Sequence, residues 1–280
     1  MTDNTAIRTR SWLFTPATRA DRFIKAAAAG ADVAILDLED AVAPKDKAGA
    51  RTTALDYLAG NPTDDVRHAL RINGLDTRAG IADLDAFLGS KAAPDFLVLP
   101  KTETSGHLQI LDRLLAAAGK ATRLVGIIES ARGLAHIEAI AAATPRLAGL
   151  MLGAADMAAD LGSATAWAPL AFVRGRLIAA CALAGINPID SPFFELHDET
   201  GLQQEVAAAV AFGFSAKAAI HPAQIGAINA ALTPSAEAVE KARAILAENA
   251  KGVGTVDGEM IDEAVARKAR RTLAAAGVTA

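Results

Sequence analysis

Cysteine occurs once in the 280 residues, at Cys181, so an intramolecular disulfide is impossible and a reducing, cytoplasmic setting is expected. Its neighbours, Ile178-Ala179-Ala180 and Ala182-Leu183-Ala184, are apolar, which reads as a buried helix position rather than a nucleophile. No apolar run reaches the ~18 residues a membrane span needs. Met1-Thr2-Asp3-Asn4-Thr5 shows no apolar stretch of the signal-peptide kind, so no membrane partner is expected. Positive charge is not in excess: 28 Lys and Arg face 32 Asp and Glu, the net charge is −4, and no basic stripe points to nucleic acid. The five histidines (His68, His107, His136, His197 and His221) show no paired spacing, which disfavours zinc. The phosphate-cradling G-x-x-x-x-G-K-[ST] loop, the Rossmann glycine pattern and the G-x-S-x-G elbow are all missing. Nucleotide hydrolysis, dinucleotide redox chemistry and serine-hydrolase chemistry lose their usual markers.

What the chain does have is apolar residues, 52% of the total, arranged as short runs alternating with alanine-rich stretches. Strands are expected at 11–15, 33–38, 68–72, 96–99, 124–128, 147–152, 186–189 and 217–220. Helices are expected at 21–29, 45–59, 81–88, 106–118, 131–143, 169–184 and 201–211, where Ala, Leu, Arg, Glu and Lys favour them. Strands that alternate with helices imply βαβ units and a parallel sheet, and runs apolar throughout suit strands buried on both faces. Eight such units are the count of a (β/α)8 barrel, with a doubly wound sheet as the competing architecture. The barrel is expected over residues 1–232. Residues 233–280 then form a C-terminal helical extension, a lid, subunit-contact arm or cap.

The C-terminal ends of parallel barrel strands face one another across one mouth, where catalytic groups collect. Those ends carry Asp37 and Glu39, Arg71 with Asn73, Lys101 with Glu103, Glu129, Asp156, Asp190 and His221, while the opposite rim reads as less uniformly charged. Asp37 and Glu39 alternate with Leu36 and Leu38, so if the leucines pack under helices the acids point into the mouth. Asp37 and Lys101 read equally well as substrate contacts or as members of an ion-paired collar with Arg71. Asp40 reads as a turn or helix-entry residue, and His221 as structural, capping a helix or bonding a neighbouring carboxylate, rather than as a proton carrier. Glu129 and Asp156, on adjacent strand ends, suit a hard cation that keeps positions open for substrate oxygens, with Gly153 allowing close backbone approach. Arg19, Arg22 and Lys25 fall at three-residue steps on the first helix, either a phosphate site or a solvated basic face.

The segments Arg10-Ser11-Trp12-Leu13-Phe14-Thr15-Pro16, Leu36-Asp37-Leu38-Glu39-Asp40-Ala41-Val42, Arg71-Ile72-Asn73, Leu99-Pro100-Lys101, Ile128-Glu129-Ser130-Ala131-Arg132-Gly133, Leu152-Gly153-Ala154-Ala155-Asp156 and Ala219-Ile220-His221-Pro222 resemble, in order, the citrate lyase beta subunits and their stand-alone relatives. That group lies among the HpcH/HpaI aldolases of the phosphoenolpyruvate/pyruvate-type barrels. The resemblance implies a Mg²⁺-dependent carbon–carbon lyase acting on citramalyl-CoA, malyl-CoA or citryl-CoA. The chemistry implied is retro-Claisen, giving acetyl-CoA and a 2-oxo acid. It implies Glu129 and Asp156 as magnesium ligands and Arg71 as the arginine on the substrate's oxygens, where it would also be catalytic. By position rather than resemblance, Asp37, Lys101 and Glu129 are the candidate substrate contacts and Arg19 and Lys25 the candidate CoA contacts. Met260-Ile261-Asp262 is similar to a tail motif whose aspartate serves a neighbouring subunit, which implies a homo-oligomer, a trimer foremost, with Asp262 catalytic. The alternatives are a CoA-independent aldolase acting on 4-hydroxy-2-oxo acids, or a beta subunit active only within a larger lyase complex.

Overall fold

A computed structural model describes residues 9–60, 66–252 and 254–278; the expectation placed on Met1–Thr5 lies outside the described residues. Eight parallel strands close on themselves in chain order: β1 (Ser11–Pro16), β2 (Val33–Asp37), β3 (Arg67–Arg71), β4 (Phe96–Leu99), β5 (Arg123–Ile128), β6 (Leu147–Leu152), β7 (Asn187–Asp190) and β8 (Ala216–Ala219), with β8 returning to pair with β1. Closure excludes the doubly wound sheet, and each strand falls within a residue of its expected limits.

Alternation along the pleat sorts every strand residue into one of two cores. Trp12, Val33, Ile35, Ala69, Val98, Val125, Ile127, Met151, Ile189, Ala216 and Ala218 fill the barrel interior. Leu36, Leu38, Leu70, Leu97, Leu124, Ile128, Leu150 and Leu152 pack outward with helix residues such as Leu58, Phe87, Leu111 and Leu177. Leu36 and Leu38 therefore do lie under the helices. Continuing the inward parity past the last apolar residue reaches Asp37 on β2, Arg71 on β3 and Glu129 after β5.

The helices start and stop on local signals. Thr77, Ser130 and Asp198 accept hydrogen bonds from backbone N–H groups three residues on. Gly162, Gly185 and Gly213 end their helices in the left-handed conformation. Two departures from expectation stand out. Residues 131–143 form two short helices, Ala131–Ala135 and Ile137–Ala141, joined at His136. A helix not expected at all, Ala154–Leu161, follows β6 directly and carries Asp156 in its first turn. The helix Trp167–Ala184 is long and apolar enough to cross a membrane by length and composition, although no uninterrupted apolar run in it reaches that length. In the barrel it joins β6 to β7, and its Arg174 is buried in an ion-pair network.

Charge is not confined to the mouth, which corrects the expected contrast between the rims. At the N-terminal rim Arg10 grips both oxygens of Asp32 at 2.8 Å, Arg67 pairs with Asp95, and Arg146 donates to Asp112 at 2.7 Å. Arg10, Asp32, Arg67, Asp95 and Arg146 each stand directly before an expected strand, so counting all eight runs would have shown the charge at this rim, and Asp112 reaches it from the helix Ser105–Ala117. Asp190 is a second correction: it follows Ile189, which points inward, so Asp190 points outward. Its register partner on β8 is Lys217, also outward. Lys217 Nζ donates to Asp190, to the Ser191 carbonyl and to Glu205, each at 2.7 Å, while Arg174 Nε reaches Asp190 at 3.0 Å.

A second compact unit begins at Asn229. It comprises helices Ala236–Asn249 and Glu263–Ala276 with a hairpin of β9 (Gly254–Val256) and β10 (Glu259–Ile261) between them. The hairpin turns on Asp257 and Gly258, both at positive φ, the signature of a two-residue turn. Its core is Ala242, Ile245, Ile261, Ala269 and Leu273.

Replacing Lys217 with Met leaves the Asp190 and Glu205 carboxylates short of a cation in the protein interior. The expected loss is about 3–5 kcal/mol of stability, read as a lower urea midpoint.

Candidate active site

A cavity of about 410 Å³ opens at the C-terminal mouth of the barrel, lined among others by Phe14, Asp37, Asp40, Arg71, Glu129, Gly153 and Asp156. Asp37 and Arg71 are register partners on neighbouring strands. Arg71 Nε and Nη2 donate to the two Asp37 oxygens, both at 2.7 Å, and the guanidinium lies 4.7 Å from the centre of the Phe14 ring. Its third edge, Nη1, stands 2.8 Å from Glu39 Oε2 and 3.9 Å from Asp40 Oδ2 without making a hydrogen bond. Burial alone would disfavour the charge on Arg71. The Asp37 hydrogen bonds and the fields of Asp37, Glu39 and Asp40 outweigh it and raise its pKa, so the group is a permanent cation.

Lys101 turns its ammonium to Glu39 Oε1 at 2.6 Å, with Asp156 Oδ2 at 3.7 Å. Here too burial opposes the charge, and Glu39 and Glu129 more than restore it. Glu129 is buried and accepts a 2.6 Å hydrogen bond on Oε1 from the Lys101 backbone N–H, its only hydrogen bond among the described residues. Burial first, then the nearby Glu39 charge and, less, Asp156, push its pKa up to about 8 despite Lys101. Gly153 lets it lie there: a Cβ on residue 153 would come within 2.4 Å of Glu129 Oε2 and 2.5 Å of its Cβ.

Five carboxylates (Asp37, Glu39, Asp40, Glu129 and Asp156) thus face two cations, Arg71 and Lys101. No group of three or more His, Cys, Asp or Glu side chains forms a complete metal cage among the described residues. A hard divalent ion does not require one, since one or two carboxylates with waters and substrate oxygens suffice. Glu129 and Asp156 meet that description. One is buried with an oxygen left for a ligand, the other is half-exposed on the same cavity, and surplus negative charge surrounds both.

The remaining candidates separate clearly. Asp40, read as a turn residue, lines the cavity, and so does Phe14, which sequence reasoning passed over although it has the inward parity of Trp12. His221 caps a helical turn: its Nδ1 accepts from the Ala223 N–H at 3.2 Å. Asn73 lies behind the mouth, bonded to Asp83 and Lys47, and Glu103 accepts from Ser130. Arg19 precedes the first helical turn rather than sharing a helix face with Lys25, and its guanidinium is held by Asp21 at 2.9 Å on the surface. Lys25 is exposed. Cys181 is buried with its thiol pushed up to about 12 by desolvation, as inert as expected. Asp262 belongs to the second unit, where its carboxylate caps the last helix by accepting from the Val265 N–H at 2.9 Å.

A parallel barrel with a carboxylate-rich mouth around one arginine has the layout of a barrel enzyme's active site. A model of the family described as HpcH/HpaI aldolase/citrate lyase matches residues 10–222, and the chain belongs to that family. By that membership it is a lyase. L-malyl-CoA/beta-methylmalyl-CoA lyase of Rhodobacter capsulatus is 38% identical, covering 93% of this chain and 92% of its own length. A citrate lyase subunit beta-like protein of Mycobacterium tuberculosis is 37% identical over 95% of each. Among solved structures, RipC from Yersinia pestis is 59% identical with a TM-score of 0.74, covering 83% of this chain and 98% of that one. CitE from Mycobacterium tuberculosis, in complex with magnesium, acetoacetate and coenzyme A, is 35% identical with a TM-score of 0.80, covering 97% and 99%.

Two outcomes are expected from the geometry. Because burial and the Glu39 charge push the Glu129 pKa up to about 8, a divalent ion taken up on this carboxylate would have to displace its proton. Apparent affinity then weakens about tenfold per pH unit below that value, with release of close to one proton near pH 7 by calorimetry in buffers of different ionisation enthalpy. Gly153→Ala, which drives a methyl into Glu129, is expected to weaken ion binding by at least about tenfold while the chain still folds, as judged by circular dichroism.

Proposed function

We propose that the chain is a Mg²⁺-dependent carbon–carbon lyase. It cleaves a 3-hydroxyacyl-CoA bearing a carboxylate on the hydroxyl carbon, giving acetyl-CoA and a 2-oxo acid. The observation that carries this reading is the convergence of Glu129 and Asp156 on one cavity beside Arg71. The names of the related lyases and the magnesium and coenzyme A bound to the related CitE support it.

Glu129 and Asp156 would hold the ion, which when bound supplies Lewis-acid polarisation of substrate oxygens. Arg71 is positioned by Asp37 and Phe14, and its Nη1, 2.8 Å from Glu39 Oε2 without a hydrogen bond, is the edge that would turn to a substrate oxygen. As the hydroxyl gives its proton to solvent water, the bond between C2 and C3 breaks, its electron pair passes to the thioester enolate, and C3 becomes the keto carbon; the proton later delivered to C2 balances the one lost. A preorganised guanidinium stabilises the charge that develops on oxygen. Protonating the enolate carbon completes acetyl-CoA, and we assign that step to Asp262 supplied by a second copy, in a homo-oligomer for which a trimer is favoured. Arg19 and Lys25 are the proposed phosphate contacts for CoA, with Asp21 yielding Arg19 to the ligand.

The walls narrow the substrate. Phe14, Ile127, Met151, Pro192, Phe194 and Ile220 are apolar, and Arg71 is the one cation among the described residues lining the cavity. A second carboxylate would lack a counter-charge there, so citramalyl-CoA and malyl-CoA rank ahead of citryl-CoA. A cytoplasmic location fits a chain whose one cysteine is buried and unpaired.

The test is a panel of citramalyl-, malyl- and citryl-CoA and a CoA-free 4-hydroxy-2-oxo acid, each with Mg²⁺ and with EDTA, followed by product identification. Turnover of the first two is expected. Glu129→Gln or Asp156→Asn should lower kcat roughly 10³-fold, and Arg71→Ala about 10²–10³-fold. Undiminished turnover in EDTA, or cleavage of the CoA-free acid alone, overturns the reading.

A further inference from the structure

Lys101 is one of two non-glycine residues at positive φ among the described residues, at 50°; the other, Asp257, sits in a hairpin turn. A turn explains Asp257 but not Lys101, which follows β4 and Pro100. The conformation is imposed by what comes next. Thr102 is buried, its N–H donates to the Ile127 carbonyl at 3.1 Å, and its hydroxyl donates to the Leu99 carbonyl at 3.0 Å. Gly126 and Gly133 give it room, since a Cβ on either would press on Thr102, at 3.1 Å from Oγ1 and 2.7 Å from the carbonyl oxygen. Glycine suits a left-handed position best, so a lysine kept there points to its side chain having work to do.

Both ends of the residue reach the site. The backbone N–H holds Glu129 Oε1 at 2.6 Å, which leaves Oε2 for the cavity. The ammonium holds Glu39 Oε1 at 2.6 Å, and the other oxygen of Glu39, buried and without a hydrogen-bond donor, faces Arg71 Nη1 at 2.8 Å. We propose that Lys101 is a positioning residue that sets the two halves of the site in register. Its left-handed backbone aims the ion-binding carboxylate, and its side chain, acting through Glu39, aims the arginine. This rests on the reading that Glu129 and Asp156 hold Mg²⁺.

The two roles separate by substitution. Lys101→Gly keeps the N–H and accepts the backbone geometry but removes the ammonium. Mg²⁺ affinity, measured by calorimetry, should be unchanged or tighter, because a cation 3.7 Å from Asp156 has gone, while kcat falls about 10–100-fold. General damage to the fold would weaken both. Lys101→Val loses the ammonium and also resists positive φ, so its Mg²⁺ affinity should drop about tenfold below that of the glycine variant. Lys101→Arg restores the cation and should recover most of kcat. Glu39→Gln placed on Lys101→Gly should add no further loss, since the side chain acts through Glu39. If the valine chain does not fold, the glycine variant and this cycle decide. Weaker Mg²⁺ binding in Lys101→Gly, wild-type kcat in that variant, or additive effects of the two substitutions each overturn the proposal. Absence of Mg²⁺ uptake by the wild-type chain instead removes the metal reading beneath it.

Discussion

Asp37 and Arg71 sit opposite each other in the pairing of β2 with β3, and the two-pronged ion pair between them is the contact around which the mouth is organised. A closed parallel barrel offers no freedom in this respect: the pleat sends every second residue inward, and the hydrogen-bond register decides which inward residues become neighbours. A guanidinium gripped on two edges cannot swing, so its remaining edge becomes a fixed feature of the cavity. The same parity explains the contrast with Asp190 and Lys217, equally charged and equally near strand ends, which face the helices and serve the scaffold.

Around that fixed cation the chain gathers more negative charge than it neutralises. Glu129 registers the imbalance most directly, because burial and the neighbouring Glu39 make its proton hard to remove. A buried carboxyl that holds a proton near neutrality is costly in a purely structural role but useful where a divalent ion is to be taken up, since the ion replaces the proton and relieves the repulsion. The half-exposed Asp156, carried on the helix Ala154–Leu161 rather than on β6 itself, completes the pair from the open side of the cavity.

Much of the barrel was legible in the residues. Short apolar runs buried on both sides leave a strong signal, and all eight emerged with nearly correct limits. The site was legible where inward parity could be counted, as at Asp37, Arg71 and Glu129. It was misread where position after a strand was taken as sufficient, as at Asp190. The helix Ala154–Leu161 escaped notice because it follows β6 after a single glycine, although Gly162 marked its end. The hairpin of the second unit was announced by Asp257-Gly258, a turn pair hidden in a segment read only as glycine-bearing. Arg19 and Lys25 were placed on one helix by spacing alone, but the first turn there is tighter than an α-helix and Asp21 intervenes. No periodicity could reveal the left-handed backbone at Lys101, which is set by Thr102 and by glycines on two other segments.

The salt links at the N-terminal rim, Arg10 with Asp32, Arg67 with Asp95 and Arg146 with Asp112, lie at the end of the strands opposite the cavity. A (β/α)8 barrel can therefore hold part of its durability at the pole away from its reactivity. Exchanges at the base alter how long the scaffold persists, whereas exchanges at the mouth alter which bond it breaks. A lineage can thus drift at one pole while selection holds the other, which allows a single architecture to serve many acids.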